Sequence, residues 1–269
     1  MVPEGWGRLE IKDGDQFTPD AVMRGYFHSS HENWDNKTYC RNFYELMFRD
    51  LTLFALGDVK DKKILDLGCG VGVYLQIIAR MGGVIFGQDI SQEYIDRGLK
   101  RLNDININPV MKVGNATKIL FEDSYFDGVI AADFFEHISY QEKMRVVSEA
   151  YRVLKPGGIF VIKTPNLDYL RISIFLQRIF AALKFKSPFH INIAHTHNYP
   201  DNGHHGLTTY SELEDILLKN MFHFPNIVYV PLIRKQISRW ITKFIFGKKI
   251  FCEEIIMSTR KPLFLGFYP

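Results

Sequence analysis

The run Lys63-Ile64-Leu65-Asp66-Leu67-Gly68-Cys69-Gly70-Val71-Gly72 constrains the fold of this 269-residue chain more than any other stretch. Ile64, Leu65 and Leu67 read as a short, buried parallel strand, and Asp66 stands where a turn begins. Three alternating glycines follow, and without Cβ atoms they let the backbone turn sharply and approach a ligand closely. A strand that delivers such a loop predicts an α/β sheet with a nucleoside-type ligand at its carboxyl edge. The dinucleotide fingerprint needs a further glycine where Val73 stands, so the spacing fits a nicotinamide site poorly.

The strands expected next fall where that ligand would need them. Val84 to Gly87 reads as a second strand delivering Asp89 to the same edge, where a carboxylate can accept both hydroxyls of a ribose. Gly114-Asn115-Ala116 closes a third, Val110 to Val113. Phe126 to Asp133 is a fourth; Leu154-Lys155-Pro156-Gly157-Gly158 ends a helix and turns into a fifth, Ile159 to Lys163. In register over residues 60 to 165, this combination resembles a class I S-adenosylmethionine-dependent methyltransferase.

The resemblance implies a Rossmann-like α/β fold: a seven-stranded, mostly parallel sheet with helices on both faces and its last strand antiparallel. The final pair would be Asn226 to Leu232 and Ile250 to Lys261. It also implies a cofactor set. Asp66 with Gly68, Cys69, Gly70 and Gly72 would hold the methionine end of S-adenosylmethionine, Asp89 and its neighbour Ile90 the ribose side, Asn115 and Ala116 the adenine edge, and Ala132 would complete the set. Many relatives carry Asp where Asn115 stands; an Asn oxygen still accepts from the adenine amine, with less charge.

The acceptor side is expected at the end of the fourth strand, where Asp133-Phe134-Phe135-Glu136-His137 gathers two carboxylates and an imidazole. This run resembles the acidic-x-x-Glu-His element of ubiquinone-biosynthesis O-methyltransferases and of small-RNA terminal ribose O-methyltransferases. In members of those groups it binds a divalent ion, which orients hydroxyls and lowers the acceptor's pKa. Thr164-Pro165-Asn166 after the fifth strand and His204, five residues before the helix start Thr209-Tyr210-Ser211-Glu212, extend the likeness to the RNA group. The resemblance therefore implies a metal set of Asp133, Glu136, His137 and His204 around Mg2+ or another divalent cation. The competing reading has Glu136, His137 and His204 facing the acceptor without an ion, His137 serving as base.

Residues 1 to 60 precede the first strand and are rich in aromatics, and the resemblance implies that they form a helical cap over the cofactor and acceptor site. Residues 61 to 269 form the catalytic domain, with an inserted helical, His-rich segment at 167 to 208 that holds His190, His195, His197, His204 and His205. Cys40, Cys69 and Cys252 are isolated, which argues against a disulfide framework and for a reducing, cytoplasmic setting. Met1 to Phe17 lacks the basic, apolar pattern of an export signal.

The net charge of +3 conceals an asymmetry: residues 1 to 168 hold 20 bases and 24 acids, residues 169 to 269 hold 13 and 6. Arg171 to Lys186 and Arg234 to Lys249 alternate basic and apolar residues with helical spacing. Such stretches either pack on the domain or meet an anionic membrane surface, which would place the protein at the inner membrane face. A nucleic-acid face fits less well, because Trp240 and Phe244 fall on the apolar face instead of alternating with bases. The expected function is thus O-methylation of a hydroxyl on a small aromatic molecule, sugar, glycan or lipid-linked intermediate. RNA ribose methylation and a non-catalytic S-adenosylmethionine-binding module are the alternatives.

Overall fold

A computed structural model describes residues 43–183, 206–223, 225–228 and 254–263. The leader up to residue 42, the basic stretch 229–253 and all five histidines between 190 and 205 lie outside the described residues. Along the chain run α1 (Phe43–Leu56), β1 (Lys63–Leu67), α2 (Val73–Arg80), β2 (Val84–Asp89), α3 (Gln92–Asn103), β3 (Val110–Val113), β4 (Phe126–Ala132), a 3-10 helix (Phe135–His137), α4 (Tyr140–Val153), β5 (Leu154–Pro165), α5 (Leu167–Leu183), α6 (Tyr210–Lys219), β6 (Asn226–Val228) and β7 (Glu254–Arg260).

The seven strands form one sheet in the order β3-β2-β1-β4-β5-β7-β6. The first five run parallel, and β7 pairs antiparallel with both β5 and β6. Strand order reverses between β1 and β4, and ligands of open α/β sheets bind at such a switch point, beyond the carboxyl ends of the strands. The loops that follow β1 and β4 therefore hold the candidate residues.

The near-continuous apolar runs in β1 and β4 match a sheet covered on both faces. On one face Leu53, Leu56, Ile64, Leu75, Ile78, Ile95, Ile130 and Val161 bury together, bringing α1, α2 and α3 onto the sheet. On the other, Leu65, Val129, Phe135, Val146, Val147, Phe160, Leu213 and Ile216 join α4 and α6 to it. Each such side chain taken wholly out of water stabilises the fold by about 1.5–3 kcal/mol. Ser139 caps α4 in a reciprocal box with Glu142, and Thr209 caps α6 by accepting from the Glu212 amide.

The fourth and fifth strands are bounded differently from the sequence reading. The fourth strand stops at Ala132, because Asp133 turns into the left-handed region at φ +54°. The fifth begins at Leu154 instead of Ile159: the expected turn stays in the sheet, with Gly157 donating to the Lys261 carbonyl and a shift in pairing between Phe126 and Gly128.

Candidate active site

The glycine loop leaves β1 with Gly68 at φ +68° and Gly70 at φ +50°, a region that L side chains enter only at a cost. A Cβ on Gly68 would stand 2.9 Å from the Phe134 ring, whereas one on Gly70 would meet nothing within 4 Å. Gly68 must therefore be glycine for packing, and Gly70 borders open space suited to a ligand. The Gly70 amide donates to Asp89 Oδ2 at 2.8 Å, and Asp89 Oδ1 accepts from the Ser91 amide at 2.9 Å. One carboxylate thus ties the loop to the end of β2 and the start of α3. On α3, Arg101 reaches back and donates from Nε and Nη2 to the Val71 carbonyl and from Nη2 to that of Gly72.

Asp66 lies under this loop, 2% exposed. Burial first, then the nearby carboxylates of Asp89 and Asp133, push its pKa well above the ordinary range. A cationic group arriving beside it would offset that burial and favour the ionised acid. Cys69 is buried with a free thiol whose pKa burial pushes up, so its side chain is packing while its backbone shapes the loop.

On the nucleobase side, Ile90 is 71% exposed directly after Asp89, an apolar surface beside the acid that would hold a ribose. Asn115 Oδ1 accepts from the Thr117 amide at 2.9 Å, which commits one lone pair to its own turn and leaves a second to receive a donor. Ala116 is buried beneath it. Gln88, fully buried in β2, fixes this loop: Nε2 donates to the carbonyls of Asn115 and Lys118, and Oε1 accepts from the Leu120 amide.

Gln88 and Arg101 escaped the sequence reading. A glutamine inside the apolar run Val84–Asp89 was a usable signal for Gln88; Arg101 reads as an ordinary charge late in an amphipathic helix.

The Asp133–His137 run straddles the sheet edge. Ala132 pairs with Lys163, and cross-strand partners share a face; the next residue in β5, Thr164, points to the other. Asp133 Oδ1 is 2.5 Å from Lys163 Nζ, while Glu136 Oε2 accepts from Thr164 Oγ1 at 3.1 Å. Asp133 has 54% of its side chain exposed, Glu136 is 2% exposed, and His137 is exposed. Burial and the charge of Asp133 raise the Glu136 pKa to about 7, against smaller opposing contributions from hydrogen bonding and Lys163.

The described members of the expected metal set, Asp133, Glu136 and His137, are not gathered by this geometry. Among the described residues no group of three His, Cys, Asp or Glu side chains is placed to share an ion, and Asp133, Glu136 and His137 do not form one. The physical reason is the division across the sheet, with an ammonium already on Asp133. The proposed fourth ligand, His204, lies outside the described residues. Nearby, Gly206 donates from its amide to the Glu136 carbonyl at 2.8 Å and accepts from the buried Lys143 ammonium. A Cβ there would stand 2.0 Å from the Ile138 oxygen, so only glycine fits.

Residues 65–162 match a family described as a methyltransferase domain. The chain is 30% identical over 170 residues to the demethylmenaquinone methyltransferase of Symbiobacterium thermophilum, covering 58% of this chain and 65% of that protein. It is 28% identical over 130 residues to the ubiquinone biosynthesis O-methyltransferase of a Shewanella species, covering 47% and 52%. The chain thus spans less than two thirds of the length of either relative. A solved S-adenosylmethionine-dependent methyltransferase structure from Methanosarcina mazei superposes with a TM-score of 0.55 at 20% identity, over 80% of this chain and 98% of that one, which shows the shared fold. Over residues 65–162 the chain is thus similar to methyltransferase domains, and its fold is shared with solved methyltransferase structures.

Proposed function

We propose that this chain transfers a methyl group from S-adenosylmethionine to a hydroxyl oxygen of an apolar small molecule, a glycan or a lipid-linked acceptor. The observation that carries the reading is the glycine loop: open at Gly70, tied by Asp89 and set above the buried acid Asp66. Bound there, the cofactor would supply a methyl group already activated on a sulfonium. Asp66 would hold its ammonium end, Asp89 its ribose, and Ile90 with the Asn115 turn its base.

With the methyl already activated, the protein's task is to hold an acceptor oxygen in line and remove its proton. His137 suits the second part, because it is exposed at the carboxyl edge on the short helix that follows Asp133. Glu136 is too enclosed to meet an acceptor directly, and positions that helix through Thr164. The quinones in the two relatives' names favour an apolar acceptor, and the O-methyltransferase in one of those names favours a hydroxyl on it.

The test is release of S-adenosylhomocysteine by the purified chain with a panel of hydroquinones, catechols, glycans and short RNA. Turnover with a hydroxylated small molecule, lost by about 10²–10⁴-fold in His137→Ala at unchanged cofactor affinity, is the expected result. Turnover on RNA alone, or an indifferent His137→Ala, would refute it.

A further inference from the structure

Lys163 was assigned no part in the sequence reading, yet it is the cation that pairs with Asp133 at the carboxyl edge. It sits in β5, the strand next to β4, and only 10% of its side chain is exposed. Asp133 binds its ammonium from the end of β4, and the Asp133 amide donates to the Lys163 carbonyl at 3.0 Å. Glu254 stands opposite Pro165 on β7, two residues further along the same face of the sheet.

We propose that the Lys163 ammonium is the resident cation of this edge, taking up the Asp133 carboxylate that the sequence likeness assigned to a divalent ion. Asp133 is then a half-exposed carboxylate anchored from below, and Lys163 is a positioning residue that acts through it.

Three observations support this. First, the ion pair is held at both ends: Lys163 by its place inside the sheet, and Asp133 by the bond from its own amide to the Lys163 carbonyl. Second, the other two acid or imidazole groups of the run do not converge on Asp133, since Glu136 is bonded to Thr164 on the opposite face. Third, a divalent ion bound by Asp133 would stand beside the Lys163 ammonium already paired with it, and like charges at that range repel.

The experiment is titration of the full chain with Mn2+ alone, followed by the electron paramagnetic resonance of free and bound ion. The wild type is expected to show no stoichiometric site below about 1 mM, a weakness set by the fixed charge. Lys163→Met, which keeps the length of the side chain and removes its charge, should tighten Mn2+ binding by about tenfold or more as the carboxylates seek another cation. Lys163→Arg, which keeps the charge, should bind as weakly as the wild type and serves as the folded comparison. A stoichiometric wild-type site in the micromolar range would overturn the proposal, as would Lys163→Met binding no better than the wild type in a folded sample. The wild-type titration decides even if Lys163→Met fails to fold. No acceptor or methyl donor enters the measurement, so its failure is distinct from failure of the methyl-transfer reading.

Discussion

Replacing Glu136 with glutamine should stabilise the protein above neutral pH, and the size of the effect follows from where the carboxyl sits. Burial and the neighbouring Asp133 raise its pKa from 4.5 to about 7 in the folded state. Between those two values the folded chain binds a proton that the unfolded chain releases. Stability from this group is therefore greatest at low pH and falls as pH rises, the loss being complete above about 7. The gap corresponds to about 3 kcal/mol of cost for holding Glu136 ionised at pH 8. Glu136→Gln mimics the protonated acid and keeps an oxygen to accept from Thr164 Oγ1. Its new amide donors introduce a cost of about 1–3 kcal/mol if unsatisfied, but that cost does not vary with pH. Thermal unfolding of both proteins from pH 5 to 8 isolates the titrating part. The difference in Tm, variant minus wild type, should rise across that range by on the order of 6–12 °C, taking 2–4 °C per kcal/mol for a chain of this size. A difference that stays constant with pH would refute the reasoning, because it would mean that Glu136 titrates as an ordinary carboxyl.

Asp66 is held well above its ordinary pKa by burial, so a cationic ligand that draws it into the ionised form should release a proton. Calorimetry of S-adenosylmethionine binding in buffers of different ionisation enthalpy, from pH 5 to 8, should show that release, and it should vanish in Asp66→Asn; buffer-independent heats at every pH would contradict the placement. On α5, Phe175, Leu176, Ile179 and Leu183 are exposed beside Arg171 and Arg178, and no helix of the described residues is long and apolar enough to cross a membrane. If this face meets an anionic surface, flotation with vesicles should increase with acidic lipid and fall with salt, and Phe175→Ser with Leu183→Ser should weaken it; no association with acidic vesicles would remove the idea.

The sheet was legible because apolar runs end in residues that stop or turn the chain: the glycines after Leu67, the Asp89 that closes β2, Gly114 after β3. Those signals are local, and local pattern decides strand and turn. The arrangement of the Asp133–His137 run was not legible, for the opposite reason. The spacing of Asp133, Glu136 and His137 records that they are close in sequence, but not that the left-handed turn at Asp133 sends its carboxylate to the Lys163 face while Glu136 lies on the Thr164 face. Lys163 itself looks like a polar interruption near the end of an apolar strand, and its meaning appears only when β4 is laid beside it in register. Gly206 is a similar instance, since nothing near it in the chain announces the Ile138 oxygen that excludes a side chain there.

The most direct measurement is calorimetric titration of the purified chain with S-adenosylmethionine, S-adenosylhomocysteine and NADH, in the wild type and in Asp89→Ala. Both adenosyl compounds should bind at one site per chain and NADH should not bind. Asp89→Ala removes the acceptor for the ribose and the ties to the Gly70 and Ser91 amides, so affinity should fall by about 10- to 150-fold, the equivalent of 1.5–3 kcal/mol for charged hydrogen bonds. Failure of the wild type to bind either adenosyl compound, or unchanged affinity in a folded Asp89→Ala, would contradict the placement of the cofactor over the Gly68–Gly72 loop.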